Sequence, residues 1–474
     1  MNVFSPNETG APGARPRRVL LWGAEVVATM DDRRREIRGG FVLVEGGRIL
    51  AVGPPEDLPV DWRRGNDDER LDLSGHVVLP GLVNTHHHMF QSLTRALPAA
   101  QDADLFGWLR TLYPVWSRLS PEMIRLSTRT AMAELLLSGC TTTSDHLYLF
   151  PNGARLDDQI EAAAEMGMRF HAARGAMSVG ESGGGLPPDA LVENEDAILR
   201  DTERVIDRFH DPARFAMLRI AVAPCSPFSV SRELMRDAAL LARQKGVGLH
   251  THLAENDDDV RFSRERFGMT PAEYAAELGW VGPDVWHAHC VKLDAPGMRR
   301  LGAAGTGAAH CPCSNMRLGS GIAPVRRMRA AGMRVGLGVD GSASNDSGHL
   351  LGEARQAMLL ARVQHDPADG AMMTARDALE IATRGGAAAL NRDDIGVLAP
   401  GMAADVVAFP TGDAFSAGAE ADPLGALMFC QPRMVGLNMV NGRVLVRDGA
   451  LVHGNMAEWL RRHRAAAITL MSGG

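Results

Sequence analysis

Histidines spaced two residues apart are the first feature of this sequence that could do chemistry. The stretch "PGLVNTHHHM" places His86 and His88 at the end of an apolar run, with His87 between them. Residues i and i+2 of an extended strand face the same side, so we expect His86 and His88 to share one centre and His87 to face the packed wall. The motifs "HTH" and "HAH", which end at His252 and His289, repeat the spacing. A single strand histidine is usually a packing residue, but three such pairs predict a metal site, because neutral imidazole is the commonest metal ligand among side chains.

Two acidic residues could complete that site. Asp340 ends the apolar run "VGLGVDG", and a carboxylate there needs a partner such as a metal ion with a bound water. Glu255 follows His252 by three residues and could carry a proton above the metal. The alternative for Glu255 is a purely structural role, since the acidic stretch "AENDDD" could complement the dipole at the start of a helix.

The scarcity of lysine bears on the number of metal ions. Bimetallic sites in barrels commonly bridge two ions with a modified lysine on a central strand, but this chain has only Lys245 and Lys292. Neither falls in "LRIAVAPCSP", where that bridge is expected. A single divalent ion is therefore favoured, and three histidines with one carboxylate suit Zn²⁺, with Fe²⁺ as the alternative.

The elements that must position these residues alternate between strand and helix over residues 80–395. We count eight apolar strand candidates, each followed by a helical stretch; the helix after Ser120 has an N-cap serine and a proline at its first position. This alternation predicts a parallel sheet, and eight units predict a closed (β/α)8 TIM-like barrel, with a doubly wound open sheet as the alternative. The polar residues stand at the carboxyl ends of the strands, where a barrel builds its active site.

Both ends of the chain have a different character. Residues 17–79 and 396–474 contain short apolar runs between turn residues, including a hairpin signal at Asn441–Gly442. We expect them to form the two halves of one small β-sandwich domain, the second half ending in a helix. Residues 1–16 are polar and rich in Pro and Gly, which predicts a disordered tail.

The net charge and the composition indicate which kinds of partner and which cellular compartment suit this protein. The net charge of −7 gives no general attraction to nucleic acid or anionic lipid. The N-terminal residues lack the apolar core of a signal peptide, and no run is long and apolar enough to span a membrane. The mildly acidic charge fits a small polar or neutral substrate better. The six cysteines are scattered, which predicts reduced, packed thiols and a cytoplasmic protein.

At these residues the chain resembles the amidohydrolase superfamily, in its cytosine deaminase-like, mononuclear branch. The resemblance rests on "PGLVNTHHH", "HTHLAEN", "HAHCV", "HCPCSNMRLGSGIAPV" and "GLGVDGSASND", in that order along the chain. It implies metal ligands at His86, His88, His252 and Asp340, a proton shuttle at Glu255 and a water-orienting histidine at His289. Asn84 stands where many relatives have an aspartate, so no catalytic role is expected of it.

The resemblance implies hydrolysis of a C–N bond in a cyclic amidine, releasing an exocyclic amino group as ammonia. Within the branch, stretches such as "HHHMFQSLTRALPAAQDADLFGWLRTLYPVW" and "RFHAARGAMSVGESGGGLPPD" are most similar to deaminases of 8-oxoguanine, whose product is urate. Hydroxyatrazine ethylaminohydrolases are near neighbours. Guanine, isocytosine, isoxanthopterin and hydroxytriazines remain alternative substrates, and a non-catalytic scaffold is the remote alternative. A homo-oligomer is expected from the family alone.

Recognition of a planar ring needs polar contacts. Gln91 offers an amide that donates and accepts, and Trp108 could close over the ring or only pack between domains. Arg174 could bind a ring carbonyl with Ser178 beyond it, or only pair with Asp145. Residues 179–189 are glycine-rich, which fits either a lid or a simple connector. Weaker candidates for substrate contact are Tyr148 and Cys225.

Overall fold

The computed structural model of the chain describes residues 17–63 and 69–472. The predicted disordered tail, residues 1–16, lies outside the described residues. The described chain has three successive parts, which are an N-terminal β-segment, a central barrel and a C-terminal segment.

The N-terminal segment is built of short strands around one four-residue helix, α1 (Val60–Arg63). Four of the strands form a sheet in the order β5-β4-β1-β6, and the other three join a larger sheet described below. The strands are β1 (Arg18–Trp22), β2 (Val26–Ala28), β3 (Glu36–Arg38), β4 (Phe41–Glu45), β5 (Arg48–Gly53), β6 (Glu69–Asp72) and β7 (His76–Pro80).

The central part is a closed barrel of eight parallel strands in the order β10-β11-β12-β13-β14-β15-β16-β8. The predicted barrel is confirmed, and the open-sheet alternative is wrong. Two short strands, β9 and β17, pair in parallel just beyond the carboxyl ends of β8 and β16. The strands of this part are β8 (Leu82–Asn84), β9 (His87–His88), β10 (Cys140–Leu147), β11 (Arg169–Ala176), β12 (Leu218–Pro224), β13 (Gly248–Leu253), β14 (Val285–His289), β15 (Gly307–His310), β16 (Arg334–Leu337) and β17 (Asp340–Gly341).

Helices follow the barrel strands. The cap prediction at Ser120 is confirmed, since its hydroxyl accepts a hydrogen bond from the Met123 amide (3.3 Å). A π-helical segment, Ile381–Gly385, precedes the last helix of the barrel. The α-helices are α2 (Leu105–Trp116), α3 (Pro121–Leu137), α4 (Leu156–Met166), α5 (Glu195–Phe209), α6 (Arg232–Lys245), α7 (Asp257–Phe267), α8 (Pro271–Glu277), α9 (Ala295–Ala303), α10 (Pro312–Arg317), α11 (Val325–Ala330), α12 (Leu350–Val363), α13 (Ala375–Glu380) and α14 (Gly386–Ala389).

The C-terminal segment completes the small domain. Its strands continue a seven-stranded sheet in the order β21-β20-β19-β18-β7-β2-β3. Val19 and Val42 of the four-stranded sheet share an apolar cluster with Val406 and Met439 of this sheet, so the two sheets pack as the predicted sandwich from both chain ends. The elements are β18 (Val406–Pro410), α15 (Pro423–Phe429), β19 (Leu437–Val440), β20 (Arg443–Arg447), β21 (Ala450–Leu451) and α16 (Met456–Ser472).

The hairpin between β19 and β20 turns at Asn441 (φ 49°) and Gly442 (φ 76°), as predicted from that pair of residues. The C-terminal helix α16 contacts the barrel as well: the Arg118 guanidinium donates to the Leu470 carbonyl (2.6 Å), and Ser92 Oγ lies 3.1 Å from His463 Nε2. The helix assigned to the sandwich half of the chain therefore also covers the barrel.

A buried ion pair joins the barrel to the sandwich. Arg169, the first residue of β11, binds Asp405 through two parallel hydrogen bonds of 3.0 Å, and both side chains are almost fully buried. Asp405 directly precedes β18 and also accepts a hydrogen bond from the Asn441 amide (2.7 Å). This geometry fixes where the C-terminal segment meets the barrel.

All six cysteines are free thiols; Cys313 and Cys430 are partly exposed and the other four are buried. Within residues 17–63 and 69–472, no helix combines the length and apolarity needed to cross a bilayer.

Candidate active site

Four side chains predicted as metal ligands meet at the carboxyl end of the barrel. His86 and His88 follow β8, His252 lies in β13, and Asp340 begins β17. Asp340 Oδ1 lies 3.3 Å from His86 Nε2 and 3.4 Å from His88 Nε2, and the Nε2 atoms of His88 and His252 are 3.2 Å apart. Residues more than 250 positions apart in sequence are therefore within reach of one ion.

Hydrogen bonds fix which nitrogen each ring presents. His88 Nδ1 donates to the His146 carbonyl (2.7 Å) and His252 Nδ1 donates to the Cys225 carbonyl (2.6 Å). His86 Nδ1 lies 2.8 Å from His250 Nε2. Because His250 Nδ1 donates to a backbone carbonyl, His250 Nε2 accepts a hydrogen bond from His86 Nδ1. Each of the three ligand rings therefore carries its proton on Nδ1 and turns the Nε2 lone pair to the common centre.

This donor set fits a divalent cation. His86 Nε2 is buried with no hydrogen-bond partner among the described residues, and the Nε2 lone pairs of His88 and His252 face each other. Burial lowers the pKa of His86 well below its usual value, and burial with the charges of neighbouring histidines lowers the pKa of His252 to about 3. Neutral rings with converging lone pairs are what a metal ion requires.

His146, at the end of β10, is a fourth imidazole at the centre. Its ligand atom lies within 4.8 Å of those of His86, His88 and His252. His146 Nε2 donates to the Ala223 carbonyl (2.7 Å), which leaves a buried Nδ1 without a hydrogen-bond partner among the described residues. Sequence reasoning did not single out His146 as a possible ligand, although it stands at the end of an apolar strand.

Glu255 and His289 lie beside the predicted metal ligands. His289 Nε2 is 3.5 Å from Glu255 Oε2 and 3.8 Å from Asp340 Oδ2, and its Nδ1 donates to Asn315 Oδ1 (2.9 Å). Burial disfavours protonated His289, but the carboxylates of Glu255 and Asp340 outweigh it and raise the pKa of His289. Burial raises the pKa of Glu255 to about 7, while His289 opposes the rise.

The backbone is left-handed at several of these residues. His289 has φ 70°, Cys290 φ 55°, Asp340 φ 61° and Ala254, next to Glu255, φ 53°. Non-glycine residues in this region carry backbone strain, and such strain clusters at functional sites. The surrounding barrel holds these side chains in directions that an unstrained strand would not give.

A cavity enclosing about 440 Å³ of empty space, counted to its open mouth, lies over the cluster. Polar residues of the cluster form its floor, and aromatic and apolar residues form its walls. Its lining comprises His88, Gln91, Leu105, Trp108, Leu109, Tyr113, Tyr148, Cys225, Ser226, Phe228, His252, Glu255, His289, Leu318, Asp340 and Ser344.

Gln91 and Trp108 line this cavity, as do Tyr148 and Cys225. Gln91 Oε1 accepts a hydrogen bond from the Ala343 amide (3.4 Å), and its Nε2 is buried without a partner among the described residues. The Trp108 indole donates to the Ala343 carbonyl (2.9 Å). The loop after β17 therefore holds both side chains at the cavity.

Arg174 and Ser178 are not brought to the cavity. Arg174 forms ion pairs with Glu193 (2.8 Å) and Asp201 (3.2 Å), not with Asp145. Its neighbour Ala173 belongs to an interior apolar cluster, so the alternation of β11 turns Arg174 outward to α5.

Ser178 donates to Glu195 (2.7 Å) and accepts from the Ser231 amide (3.2 Å), which ties two loops together. The glycine-rich segment 179–189 contributes no residue to the cavity lining described above.

Other residues near the centre serve different purposes. His87 is buried, and its Nδ1 accepts from the His88 amide (2.8 Å), outside the groups that could hold an ion. Asn84 donates to Thr143 (3.0 Å) and accepts from the Val339 amide (2.9 Å), so it joins strands.

Sequence reasoning missed Tyr113 as a residue that lines the cavity. Tyr113 follows Leu109 by one helical turn, on the face of α2 that carries Trp108.

Residues 77–445 match the model of the amidohydrolase family. The chain belongs to that family, as predicted, and is an enzyme of the hydrolase class. It is 48% identical over 436 residues to the 8-oxoguanine deaminase of Pseudomonas aeruginosa, covering 92% of this chain and 95% of that protein.

Two further relatives are similar over almost the whole chain. Hydroxydechloroatrazine ethylaminohydrolase of Pseudomonas sp. (strain ADP) is 39% identical over 441 residues, covering 91% of each protein. The crystal structure of atrazine chlorohydrolase TrzN from Arthrobacter aurescens TC1 complexed with zinc superposes with a TM-score of 0.88 at 35% identity, covering 95% of this chain and 100% of that chain.

Proposed function

We propose that this enzyme removes the exocyclic amino group of a purine-like heterocycle, with 8-oxoguanine and water giving urate and ammonia. The observation that carries the proposal is the convergence of three Nε2 lone pairs and one carboxylate on a single centre at a cavity lined by aromatic side chains. The 48% identity to an 8-oxoguanine deaminase over most of the chain supports the choice of substrate.

The ligands of the proposed metal are His86, His88, His252 and Asp340. Zinc is favoured because nitrogen and carboxylate donors suit it and because a relative of the same fold was crystallised with zinc; Fe²⁺ is the alternative. When bound, a divalent cation lowers the pKa of water, so that a nucleophile is available near neutral pH.

Three residues of the chain would handle the protons. Asp340 directs Oδ1 to the ligand histidines and Oδ2 to His289, so Oδ2 accepts the proton of the attacking water while His289 orients that water. The water oxygen bonds to the amino-bearing ring carbon, and Glu255 gives a proton to the adjacent ring nitrogen. The bond between that ring carbon and the exocyclic nitrogen then breaks. Glu255 takes back a proton from the new hydroxyl as the carbonyl forms, and the proton held by Asp340 passes to the amine, which leaves as ammonia.

The cavity walls would select a flat, polar ring. Gln91 lines the cavity with an amide that can donate and accept, and Trp108 and Tyr148 supply aromatic surface. Burial raises the pKa of Cys225 to about 12, so its thiol stays neutral and acts as a small wall residue. Arg174 and Ser178 have no part in this proposal because their side chains are engaged elsewhere.

A hydroxytriazine is the second candidate substrate, because two relatives with high coverage act on triazines according to their names. The deciding experiment follows ammonia release by the purified enzyme with 8-oxoguanine, guanine, isocytosine, isoxanthopterin and a hydroxytriazine. We expect the highest kcat/KM with 8-oxoguanine, with urate as the product. Rapid turnover of a triazine without turnover of 8-oxoguanine would reject the first substrate.

Metal analysis of the native protein separates an enzyme from a scaffold. We expect one divalent ion per chain, with zinc predominating. A metal-free protein that cannot be reconstituted by zinc or iron would reject the catalytic proposal altogether.

We further propose that the enzyme is a homo-oligomer and is cytoplasmic. Light scattering of the purified protein would test the first statement, and localisation of the tagged chain would test the second.

A further inference from the structure

A second large cavity opens at the end of the barrel opposite the proposed active site. It encloses about 840 Å³ of empty space, counted to its open mouth. Arg219 is the second residue of β12 and Gly248 is the first of β13, so the cavity lies at the amino ends of the strands. Its lining comprises His171, His210, Pro212, Arg219, Ile220, Ala221, Arg243, Gly246, Val247, Gly248, Asp284, Trp286, Leu390 and Asn391.

Arg219 is a half-buried cation that lines this cavity. No hydrogen bond or ion pair engages its guanidinium among the described residues, and its Nε atom is inaccessible to water. Burial and the nearby charge of Arg392 lower the pKa of Arg219 to about 10, although Asp394 and Asp211 attract it from longer range. The guanidinium therefore keeps its charge and its hydrogen-bond donors available to a ligand in the cavity.

Two histidines add further donors to the same cavity. His171 is the register partner of Arg219 on the neighbouring strand. His171 Nε2 accepts a hydrogen bond from Arg392 (3.3 Å), so its proton is on Nδ1. His210 Nδ1 accepts from the Ile220 amide (3.1 Å), so its proton is on Nε2. Neither N–H group has a hydrogen-bond partner among the described residues.

The carboxylates around this cavity are already engaged. Asp284, which lines it, pairs with Arg243 (3.3 Å). Asp394 binds Arg392 through two hydrogen bonds of 2.7 and 2.8 Å. What remains for a ligand is therefore the positive charge of Arg219 and the imidazole N–H donors.

We propose that this cavity binds a small anion whose phosphate or carboxylate group pairs with Arg219. The oxyanion would accept two hydrogen bonds from the guanidinium and further ones from His171 and His210. Ile220 and Leu390 also line the cavity, and their apolar side chains could contact the rest of a small organic ligand.

The anion site is separate from the metal centre. The Trp286 ring, on the cavity wall, stacks on His250 with centroids 4.7 Å apart, and His250 in turn hydrogen-bonds His86. A ligand of the metal centre and a ligand at Arg219 therefore lie on opposite sides of Trp286 and His250, and the proposal does not depend on which heterocycle the enzyme deaminates.

The test is calorimetric titration of the metal-loaded enzyme with inorganic phosphate and, separately, with acetate, at constant ionic strength. We expect at least one probe to bind saturably, and Arg219→Gln to weaken that binding at least about tenfold, because a charged hydrogen-bond donor is lost. The tighter probe identifies the head group. The matched control is Arg214→Gln, which removes a half-exposed arginine paired with Asp393 before the same strand and should leave binding within about twofold of wild type.

A stability measurement provides the second readout. In anion-free buffer Arg219→Gln should melt no lower than wild type, since no hydrogen bond or ion pair among the described residues is lost, whereas the saturating probe should raise the Tm of wild type and not that of Arg219→Gln. Three results would overturn the proposal. They are anion binding weakened equally in both variants, unchanged anion binding in Arg219→Gln, and no saturable binding of either probe. If Arg219→Gln does not fold, wild-type crystals soaked in selenate decide: an anomalous peak beside Arg219 supports the site, and peaks only elsewhere overturn it.

Discussion

Replacing Glu255 by glutamine tests the proposed proton path most directly. The side chain keeps its size but can no longer exchange a proton, and it lies outside the proposed ligand set, so the metal should stay bound. A positioned acid–base group contributes about 10²- to 10⁴-fold to the rate, which corresponds to about 3–5 kcal/mol of transition-state stabilisation. We expect kcat to fall by that factor with metal content unchanged.

The pH profile adds an independent signature of Glu255. Its pKa, raised by burial to about 7, means that the carboxyl group holds its proton below pH 7 and loses it above. If Glu255 donates to the ring nitrogen, kcat/KM of the wild-type enzyme declines above about pH 7 as the protonated fraction falls. The residual activity of Glu255→Gln should lack this decline.

The assay is ammonia release across pH, with metal content measured by mass spectrometry on the same samples. Asp257→Asn is the matched control, because it removes one carboxylate two residues away that is exposed and pairs with Lys292. Asp257→Asn should retain wild-type kinetics. Turnover by Glu255→Gln within about threefold of wild type, with metal bound, would refute the assignment of the proton path.

Three further changes test other parts of the structure. His252→Ala removes one of four proposed ligands and should leave less than about a tenth of the wild-type metal; full occupancy by mass spectrometry would contradict the ligand set. Asn315→Leu removes the acceptor that orients His289 (2.9 Å) and should lower kcat/KM about 10- to 100-fold at unchanged metal content, while Asn315→Asp, which keeps an acceptor oxygen, should lose less. Arg169→Met leaves Asp405 buried without its ion-pair partner and should lower the free energy of unfolding by about 3–5 kcal/mol in denaturant titrations; a loss below about 1 kcal/mol would show that the Asn441 amide alone satisfies this carboxylate.

The sequence was sufficient to predict the barrel and the convergence of His86, His88, His252 and Asp340. Apolar runs ending in polar residues mark the carboxyl ends of parallel strands, and closure of eight such strands brings those ends to one rim. The i, i+2 spacing of His86 and His88 then decides that both face the centre and that His87 does not. These conclusions depend only on local periodicity and on chain order, which a sequence contains.

Only the tertiary structure decided the direction of side chains on strands that are covered on both faces. All eight residues of β11 are buried, so periodicity cannot tell which of Ala173 and Arg174 points inward, and Arg174 lies outside the active site. The tautomers of the ligand histidines and the unpaired cation at Arg219 likewise depend on neighbours supplied by other strands. Those neighbours are set by barrel closure and strand register, and no local pattern in the sequence encodes them.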